Sequence, residues 1–451
     1  MTSIGIFTLL CLFLVAGKLV RSLCPLLQRL YLPSSVIGGG LGLLTISLFP
    51  ELVPAEWVDG MKMLPGFLIN IVFASLFLGK ATPGIKKVFR LALPQLCCGQ
   101  LLAWGQYVLG LGLTALLLMP VFGVKPAFGN LLEIGFQGGH GTVGGMSESM
   151  LQYQWADGIA LGYTVATVGM ILGVVIGIIL INWAVRHGHV ANSRSMADAS
   201  KADQMGIYKP DAAPAAGKQT VQADSIDSLA WHIALIGLAI LMGWLALKGL
   251  LGAEKLIRGS QAGMIYFFKA FPLFPLCMIG GLLLQKSACA IKLDYLIDHG
   301  QMQRIAGASL DFLVVSAIAT IQLSVVSANW LPLLILVVAG LVWSVFMLIW
   351  VAPKLFKNDW FERGIAEFGQ SLGVTATGLL LLRSVDPEGK SSAHESFGYK
   401  QLLHEPIMGG GLWTAMALPL VFTQGVLPCL AICCVAFIFW GIIALRIMRR
   451  H

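Results

Sequence analysis

Two short stretches combine glycine with side chains able to hold ions. The first, from Glu133 to Glu148, contains Gly138-Gly139-His140-Gly141-Thr142. Each glycine costs a helix ~1 kcal/mol against alanine, so this density argues against one continuous helix. Unwound backbone at membrane depth is tolerated only inside protein or beside a water-filled cavity, and a re-entrant hairpin meets that condition. Its tip would turn the N–H groups of a helix N-terminus toward an anion such as a carboxylate. Its free carbonyls would suit Na⁺. Gly139, His140, Gly141 and Thr142 are therefore expected to bind substrate, and Gly138 a cation. A phosphate loop is not indicated, because the lysine of GxxxxGK[ST] is absent. His140 reads first as a structural tie to a neighbouring element and second as a proton relay or substrate donor. Glu133 and Glu148 read first as solvated edge carboxylates and second as coupling groups.

The second stretch, from Phe361 to Gly378, again joins glycine to small hydroxyls. Gln370, Ser371, Thr375 and Thr377 are candidate ligands. Ser371 and the two threonines are assigned to substrate, and Gln370 and Gly373 to a cation. On a helix Thr375 and Thr377 would diverge, whereas an unwound segment lets them face one site. The competing reading is small residues permitting tight helix contact. Arg383 follows an apolar run and precedes Asp386. It is a candidate for an acidic substrate group, although an interfacial charge or a pair with Asp386 is the plainer reading. Asp311 lies within an apolar segment, where an ionisable group is a functional hypothesis by default, here cation coupling.

The elements carrying these residues must be membrane helices. Of 451 residues, 57% are hydrophobic and 12% charged. Soluble domains run near ~25% charged. A chain this apolar would present large greasy patches to water, which argues against a soluble enzyme or a disordered protein. Apolar segments fall near 3–21, 33–50, 63–79, 91–122, 158–185, 229–250, 264–285, 305–328, 332–352 and 411–445. The two glycine stretches, near 126–150 and 360–384, are too broken to be ordinary spans. The expected fold is all-α and polytopic, with about ten transmembrane helices at ~20 residues each.

Loop charge sets the orientation. Lys18, Arg21 and Arg29 follow the first span, and Lys80, Lys86, Lys87 and Arg90 follow the third. Glu51, Glu56 and Asp59 dominate the loop between the second and third. This places the N-terminus outside and the polar linker, 188–228, in the cytoplasm of a cell whose inner membrane the chain crosses. The net charge of +8 then reads as loop lysine and arginine, not as a nucleic-acid surface. Arg446, Arg449 and Arg450 at the end conflict with ten spans. One kinked helix over 411–445, bent by Pro419 and Pro428, is preferred to two short spans. The nine cysteines sit in apolar runs and read as small buried hydrophobes, with no zinc or disulfide pattern.

The halves resemble each other. Pro33, Ile37, Gly38, Gly39 and Leu41 align with Pro275, Ile279, Gly280, Gly281 and Leu283, and Phe136-Gln137-Gly138 with Phe368-Gly369-Gln370. Each half holds four spans, a polar glycine stretch and a last span. An odd count inserts the second half upside down, the plan of many secondary transporters. The expected organisation is a first inverted repeat over 1–187, the linker, and a second repeat over 229–451.

Pro33-Ser34-Ser35-Val36-Ile37-Gly38-Gly39, Gly138-Gly139-His140-Gly141-Thr142 and the second-half run Gly369 to Thr377 resemble the bacterial sodium/glutamate symporter family, in order along nearly the whole chain. The resemblance implies two inverted five-helix repeats with re-entrant loops. It also implies Na⁺-coupled uptake of an acidic amino acid, foremost L-glutamate, by a homodimer with an elevator-like moving domain. The alternatives are H⁺- or Na⁺-coupled transport of another carboxylate or amino acid, and a channel. An intramembrane enzyme lacks a paired nucleophile and base, and a primary pump lacks a nucleotide motif.

Overall fold

A computed structural model describes residues 2–29, 32–80, 85–190, 207–208, 213, 215–258, 267–269, 271–386 and 390–449. Most of the expected linker, the Lys86, Lys87 and Arg90 side chains, part of the expected span 264–285 and Arg450 lie outside the described residues. All regular elements among the described residues are helical. In chain order the main helices are α1 (Thr2–Leu23), α2 (Ser34–Leu48), α3 (Ala55–Ser75), α4 (Ile85–Leu113), α5 (Leu131–Phe136), α6 (Gly139–Gln152) and α7 (Asp157–Arg186). After the linker come α8 (Ser228–Arg258), α9 (Phe274–Ala290), α10 (His299–Ala319), α11 (Trp330–Phe346), α12 (Trp360–Val385), α13 (Ala393–His404), α14 (Leu412–Gln424) and α15 (Val426–Met448).

Nine of these described helices are long and apolar enough to cross a membrane. Their outward faces carry large apolar side chains, including Phe7, Leu12, Val342, Trp350, Val435 and Phe439. Lipid, not water, satisfies such surfaces. The expected ten spans differ from this in three places. Helices α2, α9 and α14 have 15, 17 and 13 residues, shorter than a full crossing. The stretch 411–445 is two helices, not one kinked helix. Gly425, with φ at 92°, breaks the chain between α14 and α15. Pro419 and Pro428 sit inside or near the start of those helices without making the break.

The helices group into two bodies, with α6 packed as closely on α3 and α10 of the first as on α5 and α7 of the second. One comprises α1, α2, α3, α8, α9 and α10. The other comprises α4, α5, α6, α7, α11, α12, α13 and α15. Each draws the same kinds of element from both halves of the sequence. The aligned glycine pairs make matching contacts. A Cβ on Gly38 would lie 2.4 Å from the Phe13 carbonyl in α1, and one on Gly280 would lie 2.3 Å from the Ala239 carbonyl in α8. One on Gly39 would strike Ile318 of α10 at 2.7 Å, and one on Gly281 would strike the Ala74 carbonyl of α3 at 2.2 Å. In each half the first glycine seats on its own half's first helix and the second on a helix of the other half.

The ends of the bundle are set by contacts between distant segments. At one end the Lys218 N–H donates to Asp298, and His299 bonds the Leu78 carbonyl. The linker joins here. At the other end Tyr153 stacks on Phe422, and Gln152 donates to the Lys269 carbonyl.

Helix α7 is the rail on which the glycine stretches are mounted. Asp157 in its first turn and Arg186 in its last complement the helix dipole. Gly162, Gly169, Gly173 and Gly177 clear one face by helical spacing. Gly162 meets Leu131 and Val143, Gly169 and Gly173 meet Leu372, and Gly177 meets Leu381.

Candidate functional site

Both glycine stretches double back. Leu131 of α5 and Val143 of α6 lie side by side on Gly162, so the chain reverses between them at Gln137–Gly139. In α12 the backbone leaves helical geometry at Gly373 (φ −147°, ψ 39°) and Val374 (φ 59°, ψ 177°). A Cβ on Gly369 would meet the Gly378 Cα at 2.8 Å, which a straight helix would hold ~13 Å away. The arms of α12, 360–372 and 375–385, are therefore antiparallel neighbours. Trp360 packs on His189, and Ser392 bonds Asp359, so this hairpin starts and finishes at the linker end. The first hairpin starts and finishes at the opposite end. Their tips meet where Val374 Cγ1 rests on the bare Cα side of Gly139, 2.5 Å from the place a Cβ would take.

A cavity of about 610 Å³ lies at this junction and extends past Pro33, Leu76 and Leu380. The expected residues Gly138, Gly139, His140, Gly141, Gln370, Gly373, Thr375, Thr377 and Asp311 line it. So do Ser35, Gln137 and Glu405. Three expected residues lie elsewhere. Thr142 is fully buried beside the tip, and its hydroxyl has no hydrogen-bond partner. Ser371 is buried, and its hydroxyl lies 2.8 Å from the Phe368 carbonyl and 3.0 Å from Ser344 Oγ. Arg383 is exposed on the second arm, away from the cavity lining. Asp386 meets His394 and the Ser391 hydroxyl.

The lining is acidic. It carries the carboxylates of Asp311 and Glu405 and no lysine or arginine among its described residues. Ser35, at the start of α2, lines the cavity with Asp311 of α10. His140 Nε2 lies 2.8 Å from Thr167 Oγ1, whose own proton goes to the Tyr163 carbonyl. The histidine must therefore donate through Nε2, which ties the tip to α7.

Two buried networks hold the hairpins, and sequence reasoning passed over most of their members. Glu133 is fully buried, not an edge carboxylate. It accepts from Tyr107 Oη at 2.7 Å, the Gly409 N–H at 2.8 Å and Thr414 Oγ1 at 3.1 Å. It thereby staples the first hairpin to α4 and to the turn before α14. In the second network Lys400 Nζ lies 3.0 Å from Glu367 Oε2 and donates to Gln370 Oε1 at 2.7 Å, with the lysine fully buried. Gln95 of α4 donates to Glu367 Oε1 and accepts from Arg363 Nε. His404 bridges Gln137 and Gln100. In sequence the segment from Asp386 to Glu405 shows its charges and no apolar span. The signal available there was the helical spacing of Lys400, His404 and Gln401, Glu405, each pair four apart.

A second cavity, of about 870 Å³, lies toward the opposite end. Gly145, Ser147 and Glu148 of α6 line it, with Gly66, Asn70, Trp244 and Thr320 from the other body's helices and their ends. Among the described residues no three of His, Cys, Asp and Glu converge as a transition-metal site requires.

A bundle of lipid-facing helices enclosing a cavity with two carboxylates between two broken elements defines a multi-pass membrane protein of the transporter class. The sequence matches the family model for the sodium/glutamate symporter over residues 2–386, and the chain belongs to that family. No curated relative matches it.

Proposed function

We propose that the chain is a Na⁺-coupled symporter of an acidic amino acid, foremost L-glutamate, with the site between the hairpin tips. The observation that carries this is the acidic lining. A dicarboxylate entering the cavity meets Asp311 and Glu405 with no lysine or arginine among the described lining residues. Each like-charge approach at 4 Å costs about 4 kcal/mol at an effective dielectric near 20. A cation bound in the same cavity removes that repulsion, which makes anion binding conditional on cation binding.

Each tip supplies both polarities. The arms that begin there, α6 and 375–385, point helix N-termini at the cavity and favour carboxylate. The arms that finish there bring carbonyl groups suited to Na⁺. The matched glycine contacts and the hairpins rooted at opposite ends support inverted repeats over 1–187 and 229–451. One cavity at the tips and a second toward the opposite end support alternating access, with the hairpin-bearing body moving as an elevator against the other. Loop charge supports an N-terminus outside the inner membrane and a cytoplasmic linker. The homodimer rests on family resemblance.

The test is radiolabelled L-glutamate uptake into proteoliposomes under an inward Na⁺ gradient, with choline as control. Saturable, Na⁺-dependent uptake is expected. Na⁺-independent flux that fails to saturate would indicate a channel and overturn the reading. Uptake driven only by a pH gradient would move coupling to protons on Asp311 or Glu405.

A further inference from the structure

The side chains between Lys400 and the cavity form one unbroken chain of hydrogen bonds. Lys400 Nζ donates to Gln370 Oε1 at 2.7 Å. Gln370 Nε2 donates to Gln401 Oε1 at 3.2 Å. Gln401 Nε2 donates to Thr375 Oγ1 at 2.6 Å, and Thr375 Oγ1 donates to Glu405 Oε1 at 3.0 Å. Amide orientation is ordinarily ambiguous, because either end of a glutamine can face a partner. Here the first member removes the ambiguity. An ammonium has donors only, so Gln370 must present its oxygen to Lys400 and its nitrogen onward. Gln401 is oriented in the same sense. Thr375 must then accept from Gln401, and its single hydrogen is committed to Glu405.

This polarity decides what Thr375 can offer a ligand. A hydroxyl has one hydrogen and two lone pairs. The hydrogen and one lone pair are used, so the group facing the cavity is a lone pair beside a carboxylate. It cannot donate to a substrate carboxylate. It can accept from an ammonium or coordinate a metal cation. Lys80, five residues beyond the end of α3, also acts on Glu405 through space. Thr375 and Glu405 both line the cavity, and Glu405 is only half-buried.

We propose that Thr375 and Glu405 form a subsite for a monovalent cationic group, with Lys400, Gln370 and Gln401 as positioning residues that fix its polarity. The occupant is the ammonium of an amino-acid substrate or a Na⁺ ion. The inference rests on the transport reading, and its test separates the two sources.

Glu405→Gln removes the charge and keeps the shape. Uptake would be measured for the unsubstituted protein and for this variant, varying L-glutamate at saturating Na⁺ and then Na⁺ at fixed L-glutamate. Glutarate, which lacks the amino group, serves as competitor. If the subsite holds the ammonium, the KM for L-glutamate rises about ten-fold or more while glutarate inhibits as before. If it holds Na⁺, the Na⁺ half-saturation rises, and glutarate and L-glutamate weaken together. Thr375→Val should shift the same parameter as Glu405→Gln, and Thr375→Ser should restore it. Unchanged KM and unchanged Na⁺ half-saturation in both Glu405→Gln and Thr375→Val would overturn the subsite while leaving the symporter intact. If the unsubstituted protein takes up no L-glutamate, the transport reading falls. The Na⁺-induced rise in its melting temperature then decides the subsite, by its loss or persistence in Glu405→Gln.

Discussion

Val374 is the residue at which the site's geometry is most costly. Its φ of 59° lies in the left-handed region that β-branched side chains avoid. Such strain costs ~1–3 kcal/mol and persists only where the surroundings enforce it. Here the side chain is wedged against Gly139, itself at φ 66°. Gly139→Ala would add a left-handed penalty of ~1–2 kcal/mol and a clash with Val374 Cγ1. The expected result is a lower melting temperature of the purified protein and reduced uptake. Adding Val374→Ala should return part of the lost stability, because the two changes share one contact. Strictly additive losses would show that the tips do not bear on each other. The Gly-Gly-His-Gly-Thr run was legible as a tip because glycine is costly in helices. Val374 was not, since its side chain type speaks for a strand or a core.

At the scale of elements, the linker end depends on one capping carboxylate. Asp298 is the N-cap of α10, and its Oδ1 accepts the Gln301 N–H at 2.9 Å and the Lys218 N–H at 3.0 Å. Its own N–H donates to His232 Nε2, whose Nδ1 donates to the Ser228 carbonyl at the start of α8. Burial alone would raise the Asp298 pKa, but the N–H groups of Lys218 and Gln301 hold it below the ordinary carboxylate value. A carboxyl with a lowered folded-state pKa stabilises above its unfolded-state pKa and loses that contribution as pH falls through the folded-state value. Asp298→Ala is therefore expected to cost ~1 kcal/mol near neutral pH. The melting-temperature gap between the two proteins should close on acidification below pH ~4. A gap independent of pH would show that the carboxylate charge plays no part. The helices themselves were legible from apolar run length. The short α2, α9 and α14 were not, because length alone does not say whether an apolar run crosses or merely packs.

For the whole molecule, the two-body packing makes movement testable. The bodies touch where Gly66 of α3 faces α6, and a Cβ there would lie 3.5 Å from Ser147 Oγ. That proximity makes Gly66→Cys and Ser147→Cys a pair for disulfide trapping. Oxidation of the double variant should arrest uptake and reduction should restore it, with the unsubstituted protein as control for its own cysteines. Full uptake by the cross-linked protein would rule out sliding of one body against the other. The paired glycines were legible in sequence, because Gly38-Gly39 and Gly280-Gly281 lie 242 residues apart in matching text. Their matching contacts appear only when the chain is folded.

What the sequence determined by itself was set by composition and period. A chain this apolar must sit in lipid, glycine-dense polar text must leave the helix, and the motifs mark the family. These follow from local energetics, which act on each segment without reference to the rest. The tertiary structure alone decided which polar groups share a site. It buried Glu133, paired Lys400 with Glu367, and carried Glu405 to the tip from a charged segment outside the two glycine stretches. It also sent Arg383 away from the cavity. A buried charge requires partners, and those partners are brought from tens to hundreds of residues away by helix packing. No local pattern encodes that distance.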